Sequence, residues 1–264
     1  MISALPMYHS NPSRVAEFWL AISEKLRAPP GFDAPSELVW PGDLLKHWQS
    51  KDLLISQACG YPLVTELKDR VRVIGAFHYR VPGCVGHMCR SQLVVRDNDL
   101  ATTLSDLRGR RVAYNGTDSQ SGYNSLRALV APLASNGIFF ENRLETGSHQ
   151  KSVIAVRDGL ADIASIDCVS LAGFMKYAPE VVQNIRVLGQ SAPYPGLPLI
   201  TSADTSEELL AALRAVLKWV THEPGLAQVR DDIFISNFEP LEFSDYQICA
   251  AMRDRAFQLR YPRL

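Results

Sequence analysis

Short apolar strands alternate with helical segments along almost the whole chain, and this alternation constrains the fold more than any other feature. Pro12 to Leu26 carries apolar residues at helical spacing, whereas Arg72 to Phe77 is β-branched and of buried character, and Glu37 to Trp40 reads as a short strand. From Arg111 onward the pattern repeats as strand, helix, strand, helix. Such alternation favours mostly parallel sheets flanked by helices, so the sequence predicts an α/β protein.

Two long extended stretches divide this pattern. They lie near Ser91 to Asp97 and near Ser191 to Ser202, and the second contains three prolines. If the chain crosses between two lobes at these points, residues 1–95 and 199–264 form a discontinuous first lobe, and residues 96–198 form an inserted second lobe. A single continuous doubly wound sheet is the alternative.

Composition excludes several functional classes. The 264 residues, 47% of them hydrophobic, are enough for two lobes with proper cores. The 27 basic and 28 acidic residues give a net charge of −1 without long charged runs, so no nucleic-acid partner is expected. No apolar run reaches the ~18 to 20 residues that span a bilayer, so we expect no membrane insertion. Five irregularly spaced cysteines argue against a disulfide framework.

The first residues bear on location. The segment Met1 to Tyr8 lacks the charged, apolar and small-residue series of a secretory signal. We therefore expect a cytoplasmic location for the chain as written, and a periplasmic one if a signal peptide has been removed.

Two polar, glycine-containing segments each precede a predicted helix. Asp118 to Asn124 follows the predicted strand Arg111 to Asn115, and Thr146 to His149 follows the next predicted strand. A helix start presents unpaired backbone N–H groups, and serine or threonine adds hydroxyl donors, so a small oxyanion suits both positions. The alternative is that Ser119 and Ser121 only cap the helix.

Four segments, in this order and spacing, resemble one known family. They are Asp106 to Ala113, Ser119 to Tyr123, Thr146 to His149 and Gly159 to Asp167. Together they resemble the phosphonate-binding, PhnD-like branch of ABC-transporter solute-binding proteins, over about Ser105 to Pro198. The segments Leu5 to Tyr8 and Ser56 to Tyr61 resemble it more loosely.

The resemblance implies a two-lobed, class II periplasmic-binding-protein fold in which ligand is captured between the lobes by hinge closure. It implies a non-catalytic binding protein for a phosphonate, phosphate or phosphate ester that serves an ABC-type uptake system. The partners would be the small oxyanion and the membrane subunits of the transporter. No cofactor is implied.

The resemblance also implies roles for residues of the second lobe. Ser119 and Ser121, with the N–H groups of Gly122 and Tyr123, would hold phosphonate oxygens, while Ser148 and His149 would approach from the next loop. Asp167 would accept a hydrogen bond from an amino group or a protonated oxygen. For His149 and Asp167, helix capping remains the alternative.

Three residues of the first lobe are candidates for the ligand's other wall. Tyr8 and Tyr61 each follow a predicted strand, and a tyrosine ring can both cover a ligand and donate to it. Cys59 precedes Tyr61 in the same loop. Core or rim packing is the alternative for the tyrosines.

Two other functions remain open. Cytoplasmic enzymes of the same fold make menaquinone or thiamine precursors, and a cytoplasmic ligand sensor would share the binding site. The enzyme hypothesis draws on Cys84, His87 and Cys89, because such side chains suit zinc or iron. Their spacing is poor and no distant second pair of ligands is evident, so we expect no metal site.

Overall fold

The computed structural model describes residues 1–8, 11–29 and 31–264. In chain order the strands are β1 (Ile2–Ala4), β2 (Leu53–Gln57), β3 (Val71–Tyr79), β4 (Met88–Cys89), β5 (Ser91–Arg96), β6 (Arg111–Tyr114), β7 (Asn142–Glu145), β8 (Ile163–Asp167), β9 (Ile185–Gln190), β10 (Tyr194–Pro195), β11 (Pro198–Ser202) and β12 (Ile235–Glu239).

The α-helices are α1 (Pro12–Arg27), α2 (Leu44–Trp48), α3 (Gly60–Thr65), α4 (Ser125–Val130), α5 (His149–Arg157), α6 (Cys168–Tyr177), α7 (Glu207–Val220), α8 (Ala227–Asp232) and α9 (Gln247–Gln258). A π-helical turn, Gln120–Asn124, precedes α4. Short 3₁₀ segments are Leu104–Leu107, Ala131–Leu133, Pro179–Val182, Pro224–Leu226 and Phe243–Tyr246. None of the described helices has the length and apolar character needed to cross a bilayer.

The chain divides into two compact units. Unit 1 comprises Met1–Arg80, Val85–Met88 and Pro195–Tyr246, and unit 2 comprises Val81–Cys84, Cys89–Tyr194 and Gln247–Leu264. Residues 247–264 were expected in the first lobe and instead belong to unit 2. The reason is that α9 packs against α4, and the Asn124 side chain donates to the Cys249 carbonyl at 2.9 Å.

Unit 1 contains a five-stranded sheet in the order β1-β2-β11-β3-β12. Helix α1 begins where the Asn11 side chain accepts from the Arg14 N–H, and it packs against α7 and α8. Its buried face includes Phe18, whose ring contacts Phe77 of β3 edge-on at 5.7 Å between centroids. The prediction of a strand at Glu37 to Trp40 was wrong. The Val39 N–H donates one hydrogen bond to the Ser3 carbonyl, but the segment forms no strand.

Unit 2 contains a second five-stranded sheet in the order β7-β6-β8-β5-β9, covered by helices on both faces. Strand β5 shows how the layers form, because Leu93 and Val95 enter the core under α4 and α9, while Val94 enters the core under α5 and α6. Unit 2 is thus a three-layer α/β/α arrangement.

The α/β class is confirmed, but both five-stranded sheets are mixed. Strand β11 runs antiparallel between β2 and β3, and β5 runs antiparallel between β8 and β9. Each inserted strand closely follows a point at which the chain passes from one unit to the other. The returning chain enters the sheet against the direction of its neighbours, which the strand-helix alternation alone does not reveal.

Candidate functional site

The polar loops of unit 2 leave the same edge of its sheet. Strands β6 and β7 are parallel neighbours, with Tyr114 opposite Glu145 at their carboxyl ends. The second loop is tied to the end of the first strand, because the Thr146 N–H donates to the Tyr114 carbonyl at 2.9 Å. In an open α/β sheet this edge is where ligands bind, so the two sequence motifs occupy one candidate site.

Ser121 and His149 join the two loops. The Ser121 hydroxyl lies 2.9 Å from His149 Nε2. Burial lowers the pKa of His149 to about 4, so the imidazole is neutral at pH 7. Its Nδ1 atom is buried and has no hydrogen-bond partner. The sequence motifs therefore converge on a neutral, partly unsatisfied pair of polar groups.

Three candidate residues cap helices. The Ser119 hydroxyl accepts from the Gly122 N–H at 3.0 Å, and the Ser148 hydroxyl accepts from the Lys151 N–H at 3.1 Å. Asp167 Oδ1 accepts from the N–H groups of residues 169 and 170, both at 2.9 Å. A hydroxyl that accepts still has a proton to donate, whereas a carboxylate has none. Capping therefore leaves the two serines able to donate to an anion.

Gly122 is packed too closely to carry a side chain. A Cβ atom there would lie 1.8 Å from Asn115 Oδ1 and 3.3 Å from His149 Cε1. The Gly122 N–H, expected to hold a ligand oxygen, donates to Ser119 instead. Asn115 Oδ1 is buried beside this turn without a hydrogen-bond partner. Sequence reasoning missed Asn115, although its position directly after β6 was the available signal.

Tyr123 points its ring into the core of unit 2. The ring contacts Tyr114 edge-on at 5.1 Å between centroids, and its hydroxyl accepts from the Leu264 N–H at 3.4 Å. The side chain is only 6% exposed. Tyr123 can therefore offer a ligand its backbone but not its ring.

A buried group of hydroxyls holds the Ser121 carbonyl. That carbonyl accepts from Ser91 at 2.8 Å, Ser125 at 2.9 Å and Ser165 at 2.7 Å. The Tyr194 hydroxyl lies 2.6 Å from the Ser91 hydroxyl, and burial raises the pKa of Tyr194 well above its usual value. Connected buried hydrogen bonds make a turn rigid, and a π-helical turn often marks a functional position. No periodic signal in the sequence points to this group.

The candidates of unit 1 lie at the ends of its first two strands. Because β1 and β2 are parallel neighbours, Tyr8 and Cys59 follow strands that end at the same edge. The Tyr8 ring packs edge-on against Tyr79 at 5.2 Å between centroids. Cys59 is 7% exposed and directly precedes α3, in whose first turn the half-buried Tyr61 lies. Their role in binding stays a prediction.

Cys84, His87 and Cys89 do not form one cluster. They belong to two different groups of side chains, each of which could hold a metal ion. In unit 1, His87 Nδ1 and His78 Nε2 each lie 2.9 Å from Glu239 Oε2. In unit 2, the sulfurs of Cys84 and Cys89 meet that of Cys168. The third cysteine is distant in sequence, which is why spacing alone did not reveal it.

Comparison with known proteins gives one family and many similar folds. The model of a family described as periplasmic substrate-binding proteins of phosphonate ABC transporters matches residues 52–246. A binding-protein component of an ABC phosphonate transporter from Pseudomonas aeruginosa superposes with a TM-score of 0.77 at 16% identity, covering 98% of this chain and 87% of that one.

Two further solved structures are similar over nearly their whole length. PhnD1 from Prochlorococcus marinus, in complex with methylphosphonate, has a TM-score of 0.76 at 16% identity, with 97% of each chain covered. A Xanthomonas citri protein bound to ATP has a TM-score of 0.71 at 15% identity, with 98% of each chain covered. At these identities the structural likeness establishes the fold.

Proposed function

Because this chain belongs to the family of periplasmic substrate-binding proteins of phosphonate ABC transporters, we propose that it captures a phosphonate or phosphate ester at the Ser121–His149 site of unit 2. The periplasmic-binding-protein-like fold expected from the sequence is confirmed. Family membership accounts for the class of protein. The residues that hold the ligand, and the ligand itself, are the proposal.

The contact between Ser121 and His149 carries the proposal. A neutral imidazole has one N–H and serine has one O–H, so the pair owns two donor protons. Their single hydrogen bond, at 2.9 Å, uses one of them. Since His149 Nδ1 has no partner, either Nδ1–H or the Ser121 hydroxyl is left to donate, depending on the tautomer. An oxyanion at this edge of the sheet would accept that proton.

The capping serines extend this donor set. Ser119 and Ser148 accept from backbone N–H groups and so keep their own protons for a ligand. Hydrogen bonds to an anion are about twice as strong as those between neutral groups. Several neutral donors can therefore hold a tetrahedral oxyanion without a cationic side chain. Asp167 suits a ligand with an amino group or a protonated oxygen, because its carboxylate can only accept.

The test is calorimetric titration of the chain with methylphosphonate, an aminoalkylphosphonate, inorganic phosphate and a phosphate monoester. Ser121→Ala and His149→Ala should each weaken binding of the favoured ligand by about 1 to 3 kcal/mol, because each leaves an oxyanion without a partner. Ser206→Ala is the matched control. Ser206 caps α7 in unit 1 by accepting from the Leu209 N–H, so its loss should lower stability and leave affinity unchanged.

Unchanged affinity in both site variants would show that these serine and histidine side chains serve the fold alone. Binding of none of the four oxyanions, with turnover of a carboxylate or heterocyclic precursor, would favour the enzyme hypothesis. Capture without catalysis is the proposed role, and delivery to the membrane subunits of an ABC transporter is its expected consequence. Co-purification of those subunits with the ligand-loaded protein would test the partnership.

We further propose a periplasmic location, since the matching family is described as periplasmic. Fractionation of cells that express the native gene, with detection of the protein by antibody, tests this. Recovery with cytoplasmic markers alone would instead support the ligand sensor.

A further inference from the structure

Three of the five cysteines converge inside unit 2. Cys84 Sγ lies 3.3 Å from Cys89 Sγ and 3.3 Å from Cys168 Sγ, and all three sulfurs lie within 4.8 Å of one another. Cys89 and Cys168 are each 2% exposed, while Cys84 is half-buried. We call these three residues the thiol cluster. Solvent can reach it at Cys84 but not at Cys89 or Cys168.

The sheet fixes this convergence. Strands β5 and β8 are antiparallel, and their register places Ser91 opposite Asp167, the residue before Cys168. The loop before Cys84 is equally constrained. A Cβ atom at Gly83, where φ is +103°, would lie 3.0 Å from Cys168 Cβ. The thiols therefore meet because of backbone geometry and not through the chance position of a flexible side chain.

Two backbone features around Cys168 would support its sulfur once a cation is bound, although the contact with Cys84 raises the pKa of the ion-free thiol to about 12. Cys168 is the first residue of α6, where the helix dipole is positive. The backbone N–H of Arg90 donates a hydrogen bond to its sulfur. Helix starts and N–H donors of this kind stabilise thiolates. A group of three thiolates still needs a cation among them.

We propose that the thiol cluster is a binding site for a thiophilic cation, Zn²⁺ or Cu⁺, with Cys84, Cys89 and Cys168 as ligands. Thiolate sulfur selects these soft or borderline ions over Mg²⁺ and Ca²⁺. Sulfurs at ~2.3 Å from Zn²⁺ in tetrahedral geometry are about 3.8 Å apart, so Cys84 needs to move only about half an ångström away from each of its two neighbours. Cys84 provides the entry path and room for a fourth ligand from solvent.

The main rival is a disulfide. A disulfide would join two of the three sulfurs and leave the third thiol free. Cys84 Sγ, however, is equally distant from the sulfurs of Cys89 and Cys168, so the structure favours neither pair. A shared cation uses all three. None of the three ligands belongs to the Ser121–His149 pair. Cys84 and Cys89 flank the segment Val85–Met88, which belongs to unit 1, whereas both cysteines belong to unit 2. The bound ion would therefore fix the two residues between which this segment runs.

The experiment uses the reduced full-length chain, titrated with Co²⁺ as a spectroscopic probe and then with Zn²⁺ or, anaerobically, Cu⁺ in the presence of a competing chelator. We expect one equivalent to bind, with sulfur-to-cobalt charge-transfer absorption that Zn²⁺ abolishes. Cys84, the one accessible member of the cluster, should become protected from a thiol reagent when the ion is bound. Both readouts need no variant.

Cys84→Ser, at the least buried ligand, should weaken metal binding at least about 100-fold while circular dichroism shows a folded chain. Cys249→Ser, in a buried cysteine of α9 outside the thiol cluster, is the matched control and should bind the ion unchanged. The proposal is overturned if no thiol is protected by any of the ions. It is also overturned if Cys84→Ser and Cys249→Ser bind equally, or if mass spectrometry of the natively purified protein shows a disulfide within the cluster.

Discussion

A serine that caps a helix accepts a hydrogen bond and keeps its own hydroxyl proton. The same serine can therefore cap the helix and donate to a ligand. Ser119 and Ser148 both accept from backbone N–H groups, yet both remain able to donate. Asp167 also caps a helix, but its carboxylate can only accept. The same capping position therefore favours an anion at the serines and a donor group at the aspartate.

Gly122→Ala tests how closely the loops are packed. The added methyl group would overlap Asn115 Oδ1, so we expect a loss of about 1 to 3 kcal/mol in the free energy of unfolding and weaker ligand binding. Gly189→Ala, in β9 of the same unit, meets nothing within 4 Å and should change stability by less than about 0.5 kcal/mol. Urea denaturation measures both. Adding Asn115→Ala should restore part of the loss, and equal effects of the two glycine variants would contradict the packing argument.

His149 should make stability depend on pH in a defined direction. Its folded-state pKa of about 4 lies below the value of 6.5 for an unperturbed histidine, because burial disfavours the charged form. The unfolded chain therefore takes up a proton first as the pH falls. Stability from the neutral ring is fully present above pH 6.5 and is lost as the pH drops towards about 4.

We expect the wild-type chain to lose about 1 to 3 kcal/mol more than His149→Gln between about pH 7.5 and pH 5. Urea unfolding of both chains at the two pH values measures the difference. Parallel pH profiles would show that His149 is solvated and not buried in the folded state.

The sequence predicted those site residues that directly follow a strand. It did not predict the residues whose contacts depend on the order and direction of the strands in the sheet. Ser121 and His149 each follow a strand, so their meeting required only that β6 and β7 be neighbours. Ser91 and Ser165 come from β5 and β8, and their contact with Ser121 depends on an antiparallel insertion that periodicity does not encode. The same insertion brings Cys168 to Cys84.

At the scale of elements, the strongest helical patterns were the easiest to predict. Helix α1 matches its predicted span to within one residue, because Pro12 starts it and its apolar spacing is regular. The short helix α3 and the edge strand β12 were not predicted. Both are brief, and their stability comes from tertiary packing that a single sequence does not display.

Asn124 links the π-helical turn to α9. Its Nδ2 donates to Gln120 Oε1 at 2.8 Å and to the Cys249 carbonyl at 2.9 Å, while its Oδ1 accepts from Arg127 at 2.7 Å. Asn124→Ala would remove these three buried hydrogen bonds, so we expect a loss of about 2 to 4 kcal/mol in the free energy of unfolding. Ser206→Ala, which removes one exposed cap, should cost only about 1 kcal/mol. Equal losses on urea denaturation would show that α9 docks without this link.

At the scale of the whole molecule, each unit is assembled from three separate stretches of chain. The two extended stretches seen in the sequence correspond to β5 and to the region of β10 and β11. The contribution of residues 81–84 and 247–264 to unit 2 could not be foreseen. It rests on side-chain contacts between elements far apart in the chain, which alternation of strands and helices does not specify.

Ligand binding should stabilise the intact protein by mass action. A phosphonate that binds only the folded chain adds about 2.7 kcal/mol at a free concentration of 100 times its Kd. A thermal-shift series should therefore show a melting temperature that rises with phosphonate concentration in the wild-type chain and in Ser206→Ala. The rise should be smaller at every concentration in Ser121→Ala. An identical rise in Ser121→Ala would place the ligand elsewhere.

The position of α9 also has a consequence for biosynthesis. The core of unit 2 includes Ala256, Tyr261 and Leu264, which leave the ribosome after every strand of both sheets. Since nascent chains emerge from their N-terminus at about 5 to 20 residues per second, unit 2 stays incomplete until these three residues have emerged. Folding of this unit must therefore wait for α9, and the apolar core that α9 covers is exposed to aggregation until then.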